Sequence, residues 1–179
     1  MKNIRLKGYD YSRHGAYFIT ICVKGKHKLL GEIPVGAGSA RPRTAVTPFI
    51  HPLVVEAAES TRPSVALSSY GKIVAKHLNN LPLKYPHISI SKYVIMPNHI
   101  HCIILVSASG SGRADPAPTL GQIIAYFKFQ TTKEIDISGF WQRSYHDHII
   151  RTEDEYRRII NYIETNPTKW SEDRYHIHP

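Results

Sequence analysis

Ala16 to Val23 reads AYFITICV, a β-branched and aromatic run without a charge, and it predicts a buried strand. Leu29 to Ile33 predicts a second, shorter strand. From Pro34 to Pro63 Pro, Gly, Ala and Ser accumulate and no sustained period survives. That composition marks a surface insertion, although Leu53 to Ala58 has the spacing of a short helical turn. Val65 to Leu67 resumes strand character and is placed to pair with Leu29 to Ile33. Ile73, Val74, His77, Leu78 and Leu81 recur at three- and four-residue spacing, so Tyr70 to Leu81 predicts a helix, ended by Pro82 and Pro86. Ile88 to Met96 and His99 to Val106 predict two strands, the second apolar on both faces apart from its histidines, as a central strand is. Ser107 to Pro118 is another Gly/Ser/Pro stretch: GSGRADPAPT at Gly110 to Thr119 echoes GAGSARPRT at Gly36 to Thr44, and neither has a core-forming pattern. Leu120 to Ile135 predicts a helix with Ile123, Ile124, Phe127 and Thr131 on one side, Phe140 to Ile150 a strand, and Thr152 to Thr165 a last helix. That helix opens on a capping box, Thr152 with Glu155, and Pro167 stops it.

Strands punctuated by three helices predict an α+β fold, and short strand connections favour antiparallel pairing. The 179 residues make one domain, 1–179, with insertions at about 34–63 and 107–118. Such a chain buries roughly two-thirds of its unfolded surface. No run of about 18 or more apolar residues appears, and Met1 to Gly8 lacks the apolar stretch of a signal peptide, so a cytoplasmic protein is expected. The two cysteines, Cys22 and Cys102, sit in strand-like runs and read as small buried hydrophobes. Lys and Arg number 23 against 14 Asp and Glu, giving a net charge of +9 and a pI near 9.6. That balance suits a polyanionic partner, because Lys and Arg supply the phosphate contacts of nucleic-acid binding. A merely basic protein has the same composition. Eleven His and eleven Tyr are more unusual; histidine ligates metals, and tyrosine stacks on bases or acts as a nucleophile.

Side chains two apart on a strand share a face, so His99 and His101 project together while Ile100 and Cys102 face the other way. Two imidazoles side by side on a rigid strand can hold one divalent ion and leave its far side open for phosphate and water. Taken alone, an H-x-H is more often a pair of partly buried structural histidines than a metal site. A second one, His146-Asp147-His148, reads more simply as polar groups on a sheet rim. In the last helix Tyr156, Ile159, Ile160 and Ile163 form the apolar stripe. Tyr162 lies on its flank, with Arg158 four residues before it and Asn166 four after. A phenol with a pKa near 10 needs positive charge nearby, or a polarised phosphate, to react at neutral pH. An ordinary amphipathic tyrosine would occupy the same place. Asn166 precedes a proline, where α geometry is disfavoured.

PNHIHCIILV, FWQRSYHDHIIR and YRRIINYIETNP, in that order, resemble the single-tyrosine transposases built around a His-hydrophobe-His motif, and most of all the REP-associated branch. KGYDYSRHGAYFITICVKGK near the start and YGKIV at Tyr70 to Val74 are similar to that family too, so the likeness covers most of the chain outside the insertions. It implies a ferredoxin-like antiparallel sheet with helices packed on it. It implies that His99, His101 and Asn166 bind a divalent metal, Mg2+ or Mn2+, and that Tyr162 is the nucleophile. The implied activity is cleavage and rejoining of single-stranded DNA beside hairpins through a 5′-phosphotyrosine intermediate. Asp147, His148 and Arg151 fall within a family-like motif but receive no chemical role. Arg5, Lys7, Tyr9, Tyr11, Arg13 and Arg158 are candidates for phosphate and stacking contacts; a solvated basic arm accounts equally for those near the N-terminus. Monomer and homodimer both remain open. The rivals are a replication- or conjugation-type nickase, a domesticated hairpin-binding protein without catalysis, and a hydrolytic metallonuclease that leaves no covalent adduct.

Overall fold

The computed structural model describes residues 14–34, 65–107 and 118–176. Most of both expected insertions, the expected turn at Leu53 to Ala58, and Arg5, Lys7, Tyr9, Tyr11 and Arg13 lie outside the described residues.

The main sheet has four antiparallel strands: β1 (Gly15–Cys22), β4 (Ile88–Ile95), β5 (His99–Val106) and β6 (His146–Ile150), in the order β4-β5-β1-β6. A separate two-stranded ladder joins β2 (Gly31–Glu32) to β3 (Ala66–Leu67), pairing Gly31 with Leu67 and Glu32 with Ala66 as the sequence predicts. Helix α1 (Ser69–Lys84) runs between β3 and β4, and α2 (Leu120–Ile135) between β5 and β6. The main elements therefore follow β-α-β-β-α-β, with the first and third strands central, which is the ferredoxin-like arrangement. Helix α3 (Glu153–Thr165) follows β6.

The two faces of the sheet are built differently. Tyr17, Ile19 and Ile21 of β1 and Ile100, Cys102 and Ile104 of β5 are buried in one cluster with Val74, Leu78 and Leu81 of α1 and Ile123, Ile124 and Phe127 of α2. On the other face Ile103 and Ile150 meet Ile163 of α3, flanked by Phe18, Val94, Tyr156, Ile159 and Ile160. Strand β4 serves both faces through a register shift between Ile90 and Lys92. Ile88 and Ile90 before it, and Tyr93 and Ile95 after it, all pack on the α1–α2 side, which an unbroken alternation of two would forbid. Cys22 and Cys102 are both buried and free.

Each helix start is capped by its own sequence. Ser68 accepts from the Gly71 N–H at 3.1 Å, and its hydroxyl donates to the Leu29 carbonyl at 2.6 Å. Gly71 is required here: a Cβ would stand 2.0 Å from the Leu30 carbonyl oxygen. Thr119 and Gln122 form a reciprocal capping box on α2. On α3, Thr152 accepts from the Glu155 N–H at 3.2 Å, while the Glu155 carboxylate accepts from the Arg151 N–H at 2.8 Å, one residue before the cap.

Three expectations need correction. Pro82 lies inside α1, which runs on to Lys84, because a proline so near the C-terminus removes only its own N–H and the following turn still closes, Tyr85 N–H to Leu81 carbonyl at 2.9 Å. The strand expected from Phe140 is regular only from His146. Trp141 makes an isolated bridge to Val23, and the Lys128 ammonium takes the Gln142 and Ser144 carbonyls at 2.8 and 2.9 Å, so a side chain replaces a strand ladder there. Finally, Asn166 is right-handed helical (φ −57°, ψ −44°) despite preceding Pro167, and the chain passes directly into a 3-10 segment, Pro167–Glu172. Among the described residues no helix is long and apolar enough to cross a membrane.

Candidate active site

Strand β5 sets the centre. Its partners on β1 place Cys22 opposite His99 and Thr20 opposite His101, on the sheet face that carries α3. Both imidazoles are buried and their Nε2 atoms lie 2.9 Å apart. Each Nδ1 is held from behind, His99 by the Asn98 Oδ1 at 2.8 Å and His101 by the Thr20 hydroxyl at 2.8 Å.

The orientation of Asn98 decides a tautomer. Its Nδ2 donates to two carbonyls, Lys26 at 3.0 Å and Tyr175 at 2.8 Å, so Oδ1 is the atom that faces His99. An amide oxygen only accepts, so His99 Nδ1 carries the proton and the Nε2 lone pair points into the site. Burial, reinforced by the charges of Arg174 and Lys26, pushes the His99 pKa down to about 3. Burial and then the neighbouring His99 put His101 well below its ordinary value. Both rings are therefore neutral at pH 7, as metal ligation requires.

Helix α3 brings Tyr162 to this pair. The phenol oxygen is 3.2 Å from His101 Nε2, and its ring meets those of His101 and Phe18 edge-on at 5.2 and 6.1 Å. Tyr162 is 39 % exposed, so one side of the ring faces solvent. Burial and then Asp173 push its pKa up to about 12, against the opposing charge of Arg174. Arg158, Tyr162 and Asn166, the flank expected from helical spacing, line one cavity of about 380 Å³ together with Lys169, Asp173 and Arg174.

The residues after α3 complete the centre, and sequence reasoning missed them. The Asp173 side chain is buried; its Oδ2 accepts from Asn166 Nδ2 at 2.9 Å and lies 4.0 Å from His99 Nε2. Its Oδ1 accepts from the Tyr175 N–H at 2.6 Å. The Tyr175 ring packs against His99 at 4.6 Å and His101 at 5.8 Å, and the Arg174 guanidinium lies over it at 4.7 Å. The available signal was a carboxylate seven residues beyond Asn166 in the run SEDRYH, which carries no periodicity.

These groups fit a metal ion. Among the described residues His99, His101 and Asp173 form a ligand group, their donor atoms all within 4.8 Å of one another. The 2.9 Å between the two Nε2 atoms is about the spacing of adjacent octahedral ligands at ~2.1 Å from a common ion. The Asn166 Oδ1 is buried without a hydrogen-bond partner, as a ligand atom awaiting a cation would be. The second H-x-H is placed otherwise. His146 and His148 pair with Thr20 and Phe18 on the same face, one strand further out, and His148 Nε2 is 2.6 Å from Glu155 Oε1.

No family model matches the chain. An uncharacterized protein of Haemophilus influenzae is 32 % identical over 98 % of this chain and 93 % of its own length. A REP-associated tyrosine transposase of Escherichia coli is 31 % identical over 80 residues, 45 % of this chain and 44 % of that protein. The solved structure of a REP-associated tyrosine transposase bound to a REP hairpin superposes with a TM-score of 0.60 at 18 % identity, covering 97 % of this chain and 77 % of the other. The chain is thus similar in sequence, over part of its length, to a named REP-associated tyrosine transposase, and it shares the fold of another along nearly its whole length.

Proposed function

We propose that the chain is a metal-dependent transposase of single-stranded DNA that cleaves and rejoins strands beside a hairpin, with Tyr162 as its nucleophile. The observation that carries this reading is the convergence on one sheet face of two facing imidazole Nε2 atoms, a buried carboxylate and a phenol oxygen 3.2 Å from His101. His99, His101 and Asp173 would hold Mg2+ or Mn2+, with the Asn166 oxygen as a further donor. Such an ion polarises a scissile phosphate.

The protein's own groups do the rest. Asn98 and Thr20 hold the two imidazole rings in place, so the rings need no reorientation. Phe18 and His101 hold the Tyr162 ring by its edges, which aims the hydroxyl across the sheet. A phenol whose pKa is raised loses its proton only against compensating charge, and Arg174, Arg158 and Lys169 surround its cavity. In the step itself the Tyr162 oxygen–phosphorus bond forms and the bond from phosphorus to the 3′ oxygen breaks. The phenol proton leaves to solvent and the departing 3′ oxygen takes one up. The product is a 5′-phosphotyrosine link and a free 3′-hydroxyl. Attack by another strand's 3′-hydroxyl reverses the step and joins new ends without an external energy source.

The test is incubation of labelled hairpin DNA with protein and Mn2+, followed by a denaturing gel and peptide mapping of the adduct. The adduct is expected on Tyr162. Tyr162→Phe keeps the ring and its edge contacts, so it should leave stability and DNA binding nearly unchanged and abolish the covalent species. DNA mapped to Tyr145, Tyr156 or another tyrosine would overturn the assignment.

A further inference from the structure

The His146-Asp147-His148 motif has no part in the chemistry above. Thr20 pairs with both His101 and His146, so the two imidazoles stand in one row across the sheet, on the same face. His148 is held by Glu155. His146 lines a cavity of about 340 Å³ with Phe18, Thr20, Tyr145, Asp147, His148 and Arg174. Three of these walls also belong to the centre. The Phe18 ring stacks on His101 at 5.2 Å, with 27° between the planes, and meets Tyr162 edge-on. Thr20 holds His101 Nδ1. Arg174 lines both this cavity and the one around Tyr162. Two recesses thus adjoin the histidine–tyrosine centre, with one guanidinium common to both.

We infer that the cavity beside β6 takes one unpaired nucleobase of the strand being cut, the base next to the scissile phosphate, stacked on Phe18 and read at its edge by His146, with Arg174 on the phosphate between the recesses. This rests on the proposed function. An aromatic ring and a guanidinium flanking a small cleft are the groups that grip single-stranded DNA, the ring through any base's π face and the cation through phosphate. At about 340 Å³ the cleft lies at the small end of ligand sites, which suits a single base. Burial and the Arg174 charge hold His146 below its ordinary pKa, so near pH 7 it offers one donor and one acceptor. Stacking favours no base, whereas a hydrogen bond to a base edge does; Phe18 therefore supplies affinity and His146 choice.

The full-length protein is mixed, in EDTA so that nothing is cut, with hairpin oligonucleotides of fixed stem carrying a short randomised single strand on each side, and the retained DNA is sequenced. Wild type should select a base at a flanking position by about tenfold. His146→Ala and His146→Gln should reduce or change that preference at one position, keep any preference elsewhere, and retain total DNA within about threefold of wild type. Phe18→Leu should lower total retention. An unchanged pattern in both His146 variants, or a wild-type pool without positional preference, overturns the inference. A wild-type protein that retains no hairpin at all would sink the DNA-processing reading, and this one with it.

Discussion

Asn98 governs what His99 can offer a ligand. The sequence placed His99 and His101 on one face through the two-residue period of a strand, and that inference needs no tertiary information. The tautomer was not legible, because it depends on two carbonyls, of Lys26 and Tyr175, that lie 72 and 77 residues away along the chain. Asp173 was hidden for the same reason: it reaches the histidines only because Asn166 stays helical before a proline and the next residues wrap back. An isosteric Asp173→Asn change should lower Mn2+ affinity about tenfold in calorimetric titration of the DNA-free protein, since it removes a charged donor and leaves the shape. Unchanged affinity would exclude the carboxylate from the site. The same histidines carry a pH signature. Unfolded, each titrates near 6.5; folded, His99 is pushed down to about 3 and His101 well below its ordinary value, both first by burial. As pH falls from about 6.5 towards 3, the unfolded chain binds protons that the folded chain refuses, so stability present above that window is progressively lost. Metal-free wild type should therefore show a Tm that drops between about pH 7 and 5, and His99→Gln or His101→Gln should drop less. Parallel curves would contradict the neutral, buried state of these rings.

At the level of elements, periodicity reported what local packing decides and failed where a single side chain intervenes. Strand β5 and helix α2 were read with their observed ends because apolar spacing, caps and burial agree along them. Strand β4 is located by its composition, and the register shift coincides with the point where the alternation of ISISKYVI breaks, at Ser91-Lys92. The segment from Phe140 to Tyr145 misleads for the opposite reason: FWQRSY is aromatic enough for a strand, yet its Gln142 and Ser144 carbonyls are taken by Lys128 and its Trp141 indole donates to Thr131 at 2.8 Å. Lys128→Met keeps most of the stem and removes both charged hydrogen bonds. It should destabilise the protein by about 1–2 kcal/mol in urea unfolding, while Lys133→Met, on an exposed position of the same helix, should change little. Equal effects would mean that the 140–145 segment is not held by the Lys128 ammonium.

Over the whole molecule, the division of the sheet into two faces separates stability from chemistry. Helices α1 and α2 cover one face with a continuous apolar cluster, and the other is closed only in part by α3, leaving the histidines, Tyr162 and the cavities beside them. The net charge of +9 says that a polyanion is attracted but not where it sits. Under the proposed function the cations around Tyr162 would give it a location: Arg158 and Lys169 are exposed and line the same cavity as the phenol, whereas Lys133 belongs to α2, which packs on the opposite face. Each phosphate contact releases condensed counterions, so for single-stranded DNA the logarithm of affinity falls with the logarithm of salt by about 0.7 per contact. Arg158→Ala and Lys169→Ala should each make that slope shallower by roughly this amount, at every flanking sequence alike, because a phosphate contact carries no base information. Lys133→Ala should leave the slope as it is. The measurement is hairpin-DNA affinity across a salt series for wild type and the three variants, and a Lys133 effect as large as the Arg158 effect would place the strand on the wrong face of the sheet.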